Sequence, residues 1–547
     1  MTQEDGTHIG RYGAGLMWLL PPVLAVAAYL AALDAPFIFD DRTEILENAS
    51  IRSLRDVAAV LLHNPTRPIV NLSYALDYSW WSLDPFGYHL TNVLLHAINV
   101  LLLFTVVRGM VGDAERRGGR VAQAQVNGVA FVAAGIFAVH PMMTEAVTYI
   151  SSRSELLSAM LFLAAFQSFR AAFVRASWRW YAAGLVLFAA TLAAKETGAM
   201  LPFVLLAYDR LVLRDAGAAP RSWRRWSHAL LIGLVLVAGA ARASLYLMTE
   251  HPDAAWFQSG NALVAVDAIA RYVALLLVPV SQSLVHPLNQ IGSFVDQRAL
   301  TSLASLLVLG GAAVWAWRRE PLVTFGIIWF ALVLIPSSSL ILLADRGQPM
   351  AEHRVYLASC GFLIAAAAGA WTVAGLGDVR RPTRLAAGMA ALAVVLASLT
   401  GLTTARNRLW GDPVALWNDA ARKAPLTYAA QYGLADAYFS VGDCDAAVGA
   451  YRRAIALRPE NADAYLGLAA CQRDLARPDE ARQTLRAGLA TARVDPRVIL
   501  ALASLEESRQ NAEEALRLCQ QLLASGRDVA AAQTCVARNA EALTPRR

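Results

Sequence analysis

Two adjacent aspartates, Asp40 and Asp41, stand in the run FIFDDRTEILENASI just after the first long apolar segment. Neighbouring carboxylates at a membrane surface repel. One can then serve for proton abstraction while the other orients a partner or meets a cation, although ordinary loops carry such pairs too. More ionisable groups recur beside apolar runs. HPMMTEAVTYISSRSELL holds His140, Glu145, Arg153 and Glu155, Lys195 adjoins Glu196, and AEHRVYLA holds Glu352, His353, Arg354 and Tyr356. So many charges at membrane depth favour a cavity lining over a plain hairpin, with Glu196 also placed to neutralise Lys195. In the last cluster acid, imidazole and guanidinium occur together. The planar donors of Arg354 match phosphate oxygens, which favours phosphate binding over snorkelling to headgroups.

His89, Asn92, His96 and Asn99 recur at helical spacing and form one polar stripe on an apolar helix. Such a stripe faces protein or a cavity, for ligand contact or for hydrogen bonding between helices. No HExxH, CxxC or GxxxxGK[ST] pattern is present, so neither a zinc site nor a nucleotide phosphate loop is indicated.

These residues need a scaffold that the composition identifies. With 547 residues, 57% hydrophobic and 16% charged, and a mean hydropathy of +0.42, the chain is neither disordered nor an ordinary soluble protein. Its net charge of +6 is spread along the chain, which sets nucleic acid aside. Lys195 and Lys423 are the only lysines, a bias that points to GC-rich coding and a bacterium. Residues 14–33 are long enough to span and lack a following small-residue cleavage site, so they read as a first transmembrane helix. Eleven further apolar runs extend to residue 404, and arginine-rich loops between them place the N-terminus inside and the 34–86 loop outside. The outer loop carries Arg55, His63, Arg67 and SYALDYSWW, suited to short amphipathic helices lying on the bilayer. Parity requires the run 263–282 to be re-entrant or interfacial, giving about eleven crossings and a C-terminal tail outside.

From 405 onward nothing could span, and alanine-rich helical periodicity takes over. Pro425 and Pro459 are one tetratricopeptide repeat apart, about 34 residues. On that template Leu434, Ala435, Ala447, Tyr451 and Ala454 fall on packing positions, followed by Leu468, Ala469 and Ala481 and then Leu502, Ala503 and Ala515. An insertion near Thr491–Asp495, a half repeat at 412–425 and a cap at 530–547 complete an α-solenoid. The chain is thus expected to be all-α, with a membrane helix bundle over 1–404 and a repeat domain over 405–547. Four cysteines lie in the tail. If it faces an oxidising compartment, Cys444 could pair with Cys471 or Cys519 with Cys535; otherwise they are buried free thiols.

In order, FIFDD, RPIVNLSYALDY, YHLTNVLLHAIN, HPMMTEAVTYISSRSELL, KETG, EHRVYL and RNRLWGDPVALW followed by repeats resemble the transmembrane-and-tetratricopeptide-repeat O-mannosyltransferases, members of the GT-C class. The resemblance covers nearly the whole chain, but with about three repeats where the animal proteins carry many. It implies inverting transfer of a sugar, mannose or another hexose, from a polyprenyl monophosphate to a hydroxyl. It makes Asp40 the base and Asp41 an orienting group, Arg354 the preferred phosphate ligand, and Arg153, Lys195 and His353 second choices. His89, His140, Glu145, Glu196 and Glu352 would shape the sugar or acceptor pocket or fix its loops. It also implies no metal and no cofactor, the lipid-linked sugar being a substrate. The repeats favour an acceptor polypeptide, in the periplasm of a bacterial inner-membrane protein. A glycan or lipid acceptor, or a non-catalytic membrane scaffold, are the alternatives. A transporter would show symmetry between its halves, and none is visible.

Overall fold

The computed structural model describes residues 5–118, 123–214, 216–245, 259–288, 293, 295–343, 350–376, 382–491 and 495–543. It divides into two compact units, one of residues 1–282 and 288–412, the other of residues 283–287 and 413–547.

The first unit is built from long apolar helices, and every run read from the sequence has a helical counterpart. By length and composition, five are able to cross a membrane among the described residues: Pro85–Ala114, Ile150–Arg175, Gln297–Ala316, Glu352–Val373 and Pro382–Trp410. The pair Val126–Val139 and Pro141–Thr148, bent by 57°, makes a sixth. Met17–Ala32, Trp178–Ala194 and Pro321–Ser337 are shorter apolar helices. The run 197–213 is broken into a 3-10 turn, the helix Leu201–Tyr208 and a π-turn, while 263–282 gives the helix Ser259–Leu277. These features support a membrane protein, though the helices that meet the criterion are fewer than the crossings expected from the apolar runs. The last helix, Pro382–Trp410, runs past the expected boundary at 404, and the division falls between Asp412 and Pro413.

Close approach organises the centre of this unit. A Cβ on Gly326 would lie 2.4 Å from the Gly361 carbonyl oxygen, so helices Pro321–Leu343 and Tyr356–Val373 pack backbone to backbone, as apolar helices do where small residues meet. Around them Phe325 meets Trp329 edge to face, and Phe162 and Phe166 pack on the same ring at tilted angles. The polar stripe is buried within the same unit. His96 Nε2 faces the Ala138 carbonyl at 3.1 Å and must donate, so Nδ1 accepts from the Tyr356 hydroxyl at 2.7 Å. Asn99 donates to that hydroxyl and to the Leu156 carbonyl. His96 and Asn99 therefore bond helix to helix, the second of the two uses open to the stripe.

The second unit stacks antiparallel helices from Pro413–Lys423 to Val529–Leu543. Trp417 closes on Gly433, and one repeat later Tyr451 closes on Gly467, where a Cβ would stand 2.3 Å from the ring. Glycine is required there because each aromatic packs straight onto the next helix's backbone. The template's small positions, among them Ala435, Ala447, Ala469, Ala503 and Ala515, are buried. Residues 492–494 of the expected insertion lie outside the described residues. Cys519 and Cys535 form a disulfide with Cα atoms 5.6 Å apart, whereas Cys444 and Cys471 are buried free thiols.

Candidate active site

The first loop makes its reversal at Phe39, whose φ of +54° lies in the left-handed region, a conformation costing an L-residue about 1–2 kcal/mol. The turn is held from both sides. Arg42 N–H donates to the Phe39 carbonyl at 3.2 Å, and the Phe39 ring lies 6.2 Å from that of Tyr149. Its effect is to send the two aspartates in opposite directions. Asp41 points inward, 1% exposed, where its carboxylate accepts from Ile38 N–H at 3.1 Å, from Ser151 N–H at 2.8 Å and from the Ser151 hydroxyl. Asp40 points outward and is exposed, with its own N–H donating to the Tyr149 hydroxyl at 3.1 Å. Asp41 thus anchors the turn to a segment far along the chain and leaves Asp40 presented.

Burial pushes the Asp41 carboxyl up to about 7 against the pull of the Ser151 donors, with the Asp40 charge adding to the rise. Ionisation strengthens the three hydrogen bonds Asp41 accepts, while a proton on Oδ2 would face the Ile38 N–H. If the turn positions the reacting acid, kcat/KM rises with pH through about 7. Ser151→Ala removes a donor to the ionised form and moves that inflection to higher pH. Asp41→Asn abolishes it. An inflection unchanged in both variants, in a steady-state pH profile, would contradict this role.

Asp40 borders a small open cleft of about 90 Å³ lined also by Glu44, Arg67, Tyr74, Ser151 and Ser154. Glu44 lies one turn after Asp40 and donates its N–H to the Asp40 carbonyl at 2.9 Å, so both carboxylates share a face. Arg67 precedes the helix Pro68–Trp81 and meets Glu196 at 3.4 Å. The sequence marks Arg67 only as part of the outer loop and of the motif RPIVNLSYALDY, and gives Glu44 no role, because charges in a polar loop are ordinary; the one signal for Glu44 was its spacing from Asp40.

A second group lies around Glu145. Its carboxylate accepts from Glu352 N–H at 2.8 Å and from His353 Nδ1 at 2.7 Å, while Gln282 donates to Glu352 at 3.2 Å. Arg354 is half-buried, and it acts electrostatically on the Tyr272 hydroxyl together with Glu145 and Glu155. Glu155 forms a buried ion pair with Lys195, and its chain neighbour Ser154 lines the Asp40 cleft. Lys195 is therefore neutralised by Glu155. Glu196 is bonded to Arg67 instead. Burial raises the Glu196 carboxyl, but the Lys195 and Arg67 charges outweigh it and hold the group below the usual range.

Three other expected site residues are engaged in holding backbone and side chains. Arg153 is fully buried, paired to Asp77 at 2.5 Å, donating to Asn92 Oδ1 at 2.8 Å and the Tyr88 carbonyl at 2.9 Å, with its guanidinium 4.8 Å from the Tyr74 ring centroid. Each of its nitrogens has a protein partner, so a phosphate could reach it only by dismantling that network. His89 donates to the Ala35 carbonyl at 2.9 Å. His140 donates from Nε2 to the Leu276 carbonyl at 3.1 Å and accepts Met142 N–H at Nδ1, which fixes its loop and leaves no ring nitrogen for a sugar.

An apolar helix bundle with an acid-bearing cleft, joined to a helical repeat array, defines the class of protein. Comparison with known proteins is consistent with it. The tetratricopeptide repeat family matches residues 438–505. Protein O-mannosyl-transferase Tmtc3 of Drosophila melanogaster is 26% identical, covering 84% of this chain and 57% of its own length. Protein O-mannosyl-transferase Tmtc1 of the same organism is 34% identical over 32% of this chain and 20% of its own length. Protein O-mannosyl-transferase TMTC3 of Mus musculus is 26% identical over 63% and 41%. The chain is a relative of the transmembrane-and-tetratricopeptide-repeat O-mannosyl-transferases, as the order of its motifs implied. It spans between a fifth and just over half the length of these three relatives. A thermophilic tetratricopeptide repeat protein of Thermus thermophilus matches 30% of the chain and 98% of its own length at 21% identity, with a TM-score of 0.20 that carries no weight for the fold.

Proposed function

We propose that the chain is an inverting glycosyltransferase that moves a mannose or another hexose from a polyprenyl monophosphate to a Ser or Thr hydroxyl of a polypeptide. The observation that carries this reading is the opposed pair of aspartates: Asp41 is locked inward by Ser151 and Ile38, so Asp40 is held out at a cleft, in a chain whose relatives are O-mannosyl-transferases. In the reaction the acceptor hydroxyl gives its proton to Asp40 as its oxygen bonds to the anomeric carbon. The bond from that carbon to the phosphate oxygen breaks, and the electron pair leaves with the lipid phosphate. Cations already in place stabilise the growing charge, so no metal is needed. His353 and Arg354, on the partly exposed side of the Glu145 group, are the donor-side residues of this reading, while Glu145 and Glu352 order the segment that carries them.

The repeat unit would receive the acceptor on the same side of the membrane as Asp40. About eleven crossings with a re-entrant 263–282 deliver that arrangement, in a bacterial inner membrane with the repeats periplasmic. The Cys519–Cys535 disulfide supports an oxidising compartment for that unit.

Mass spectrometry of envelope proteins from cells with and without the chain tests the reaction. Hexose is expected to disappear from specific Ser or Thr sites. Loss from a glycan or a lipid instead would reassign the acceptor, and no change in any of them would remove the enzyme reading.

A further inference from the structure

The sequence directs attention to Arg354 for the phosphate, yet the basic side chain that shares the cleft with Asp40 is Arg67. Its backbone is fixed. The N–H donates to the Asn64 carbonyl at 2.9 Å, and its own carbonyl accepts from Val70 N–H at 3.1 Å at the start of the helix Pro68–Trp81. Its side chain is held far more loosely. The guanidinium reaches Glu196 through one contact of 3.4 Å, at the outer limit of a hydrogen bond, and both side chains are more than a third exposed. Exposed pairs of this kind are easily exchanged for another anion. The other basic groups near the cleft differ: Arg153 and Lys195 are buried and closely paired.

The placement matters as well. Asp40 and Glu44 come from the loop turn and Arg67 from the start of a separate helix, so the cleft carries acid and cation on different elements. Inverting displacement separates the base from the cation, because the hydroxyl enters from the face opposite the leaving phosphate, and two elements can hold them apart. Lys195 pairs with Glu155 yet its charge still acts on Glu196, so Glu196 keeps a cation beside it when Arg67 turns to a better anion.

We propose that Arg67 is a phosphate-binding residue of the Asp40 cleft, and that its guanidinium exchanges Glu196 for oxygens of the polyprenyl monophosphate. This rests on the transfer reading above and adds to it the group that receives the leaving phosphate and the carboxylate that competes for it. The planar donor fork of arginine suits a phosphate better than a lysine would.

Binding of radiolabelled polyprenyl monophosphate to the full-length purified chain tests the exchange without requiring turnover. Arg67→Gln is expected to weaken binding at least about tenfold, the scale of a lost charged hydrogen bond. Glu196→Gln is expected to tighten it severalfold, because the competing anion is gone. A merely structural ion pair would make both variants weaken binding together, and that result overturns the proposal, as does unchanged binding in Arg67→Gln. Should Arg67→Gln fail to fold, Arg67→Lys keeps the charge but loses the fork: intermediate binding supports the proposal, and wild-type binding overturns it. Asp40→Asn is measured in parallel. If that variant still transfers sugar the base assignment fails, while the binding results judge Arg67 by themselves.

Discussion

Asp40→Asn is expected to lower sugar transfer by about 10²–10⁴-fold, the contribution of a positioned general base, equivalent to about 3–5 kcal/mol of transition-state stabilisation. The substitution keeps the side chain's shape and removes its ability to accept the acceptor's proton. The fold should register little of it, because Asp40 is exposed, its backbone carries the turn's bonds to Tyr149 and Glu44, and Asn keeps a side-chain oxygen for the Tyr149 hydroxyl that bonds the carboxylate. Wild-type elution and melting with lost turnover is therefore the expected combination. Donor binding should persist, since the carboxylate contributes nothing to holding a phosphate. A non-catalytic scaffold predicts the opposite outcome, with every cellular function of the chain intact in Asp40→Asn.

Arg153→Met acts on stability and only through it on activity. The change leaves Asp77 as a buried carboxylate without its counter-charge and removes the donors to Asn92 and the Tyr88 carbonyl. Breaking a buried pair by removing one partner costs about 3–5 kcal/mol. That is a large part of the stability of a typical domain. The variant should be recovered in low yield and melt well below wild type. Combining it with Asp77→Asn removes the orphaned charge, and the double variant should regain much of the loss. If Arg153 were a phosphate ligand instead, the single variant would fold normally and lose donor binding, and Asp77→Asn would not rescue it. Thermal melting of the two single variants and the double variant separates these roles.

How far such roles can be read from the chain depends on how far apart the interacting residues lie. The repeat array was legible because its contacts recur at a fixed short spacing, with Trp417 on Gly433 and then Tyr451 on Gly467. The polar stripe was legible as facing protein, since lipid offers no partner for Asn92 or His96, but its partners Arg153 and Tyr356 come from distant segments. The adjacent aspartates were visible as a pair. Their division into anchor and base depends on a left-handed Phe39 and on Ser151, far along the sequence, and neither carries a local signature. Lys195 lies 40 residues from Glu155, a separation that made its neighbour Glu196 look like the natural partner. Apolar runs marked the helices, while hydropathy alone could not show that 197–213 is broken into a turn, a short helix and a second turn.

The central claim is that the carboxylate exposed by this turn drives transfer from a lipid monophosphate. It is tested most directly by reconstituting the purified chain in liposomes with radiolabelled polyprenyl-phosphate mannose and a Ser/Thr-rich acceptor peptide. The account predicts O-linked mannose on the peptide, one polyprenyl phosphate released for each sugar transferred, and neither product from Asp40→Asn protein that still binds polyprenyl phosphate. Equal transfer by wild type and Asp40→Asn would contradict it.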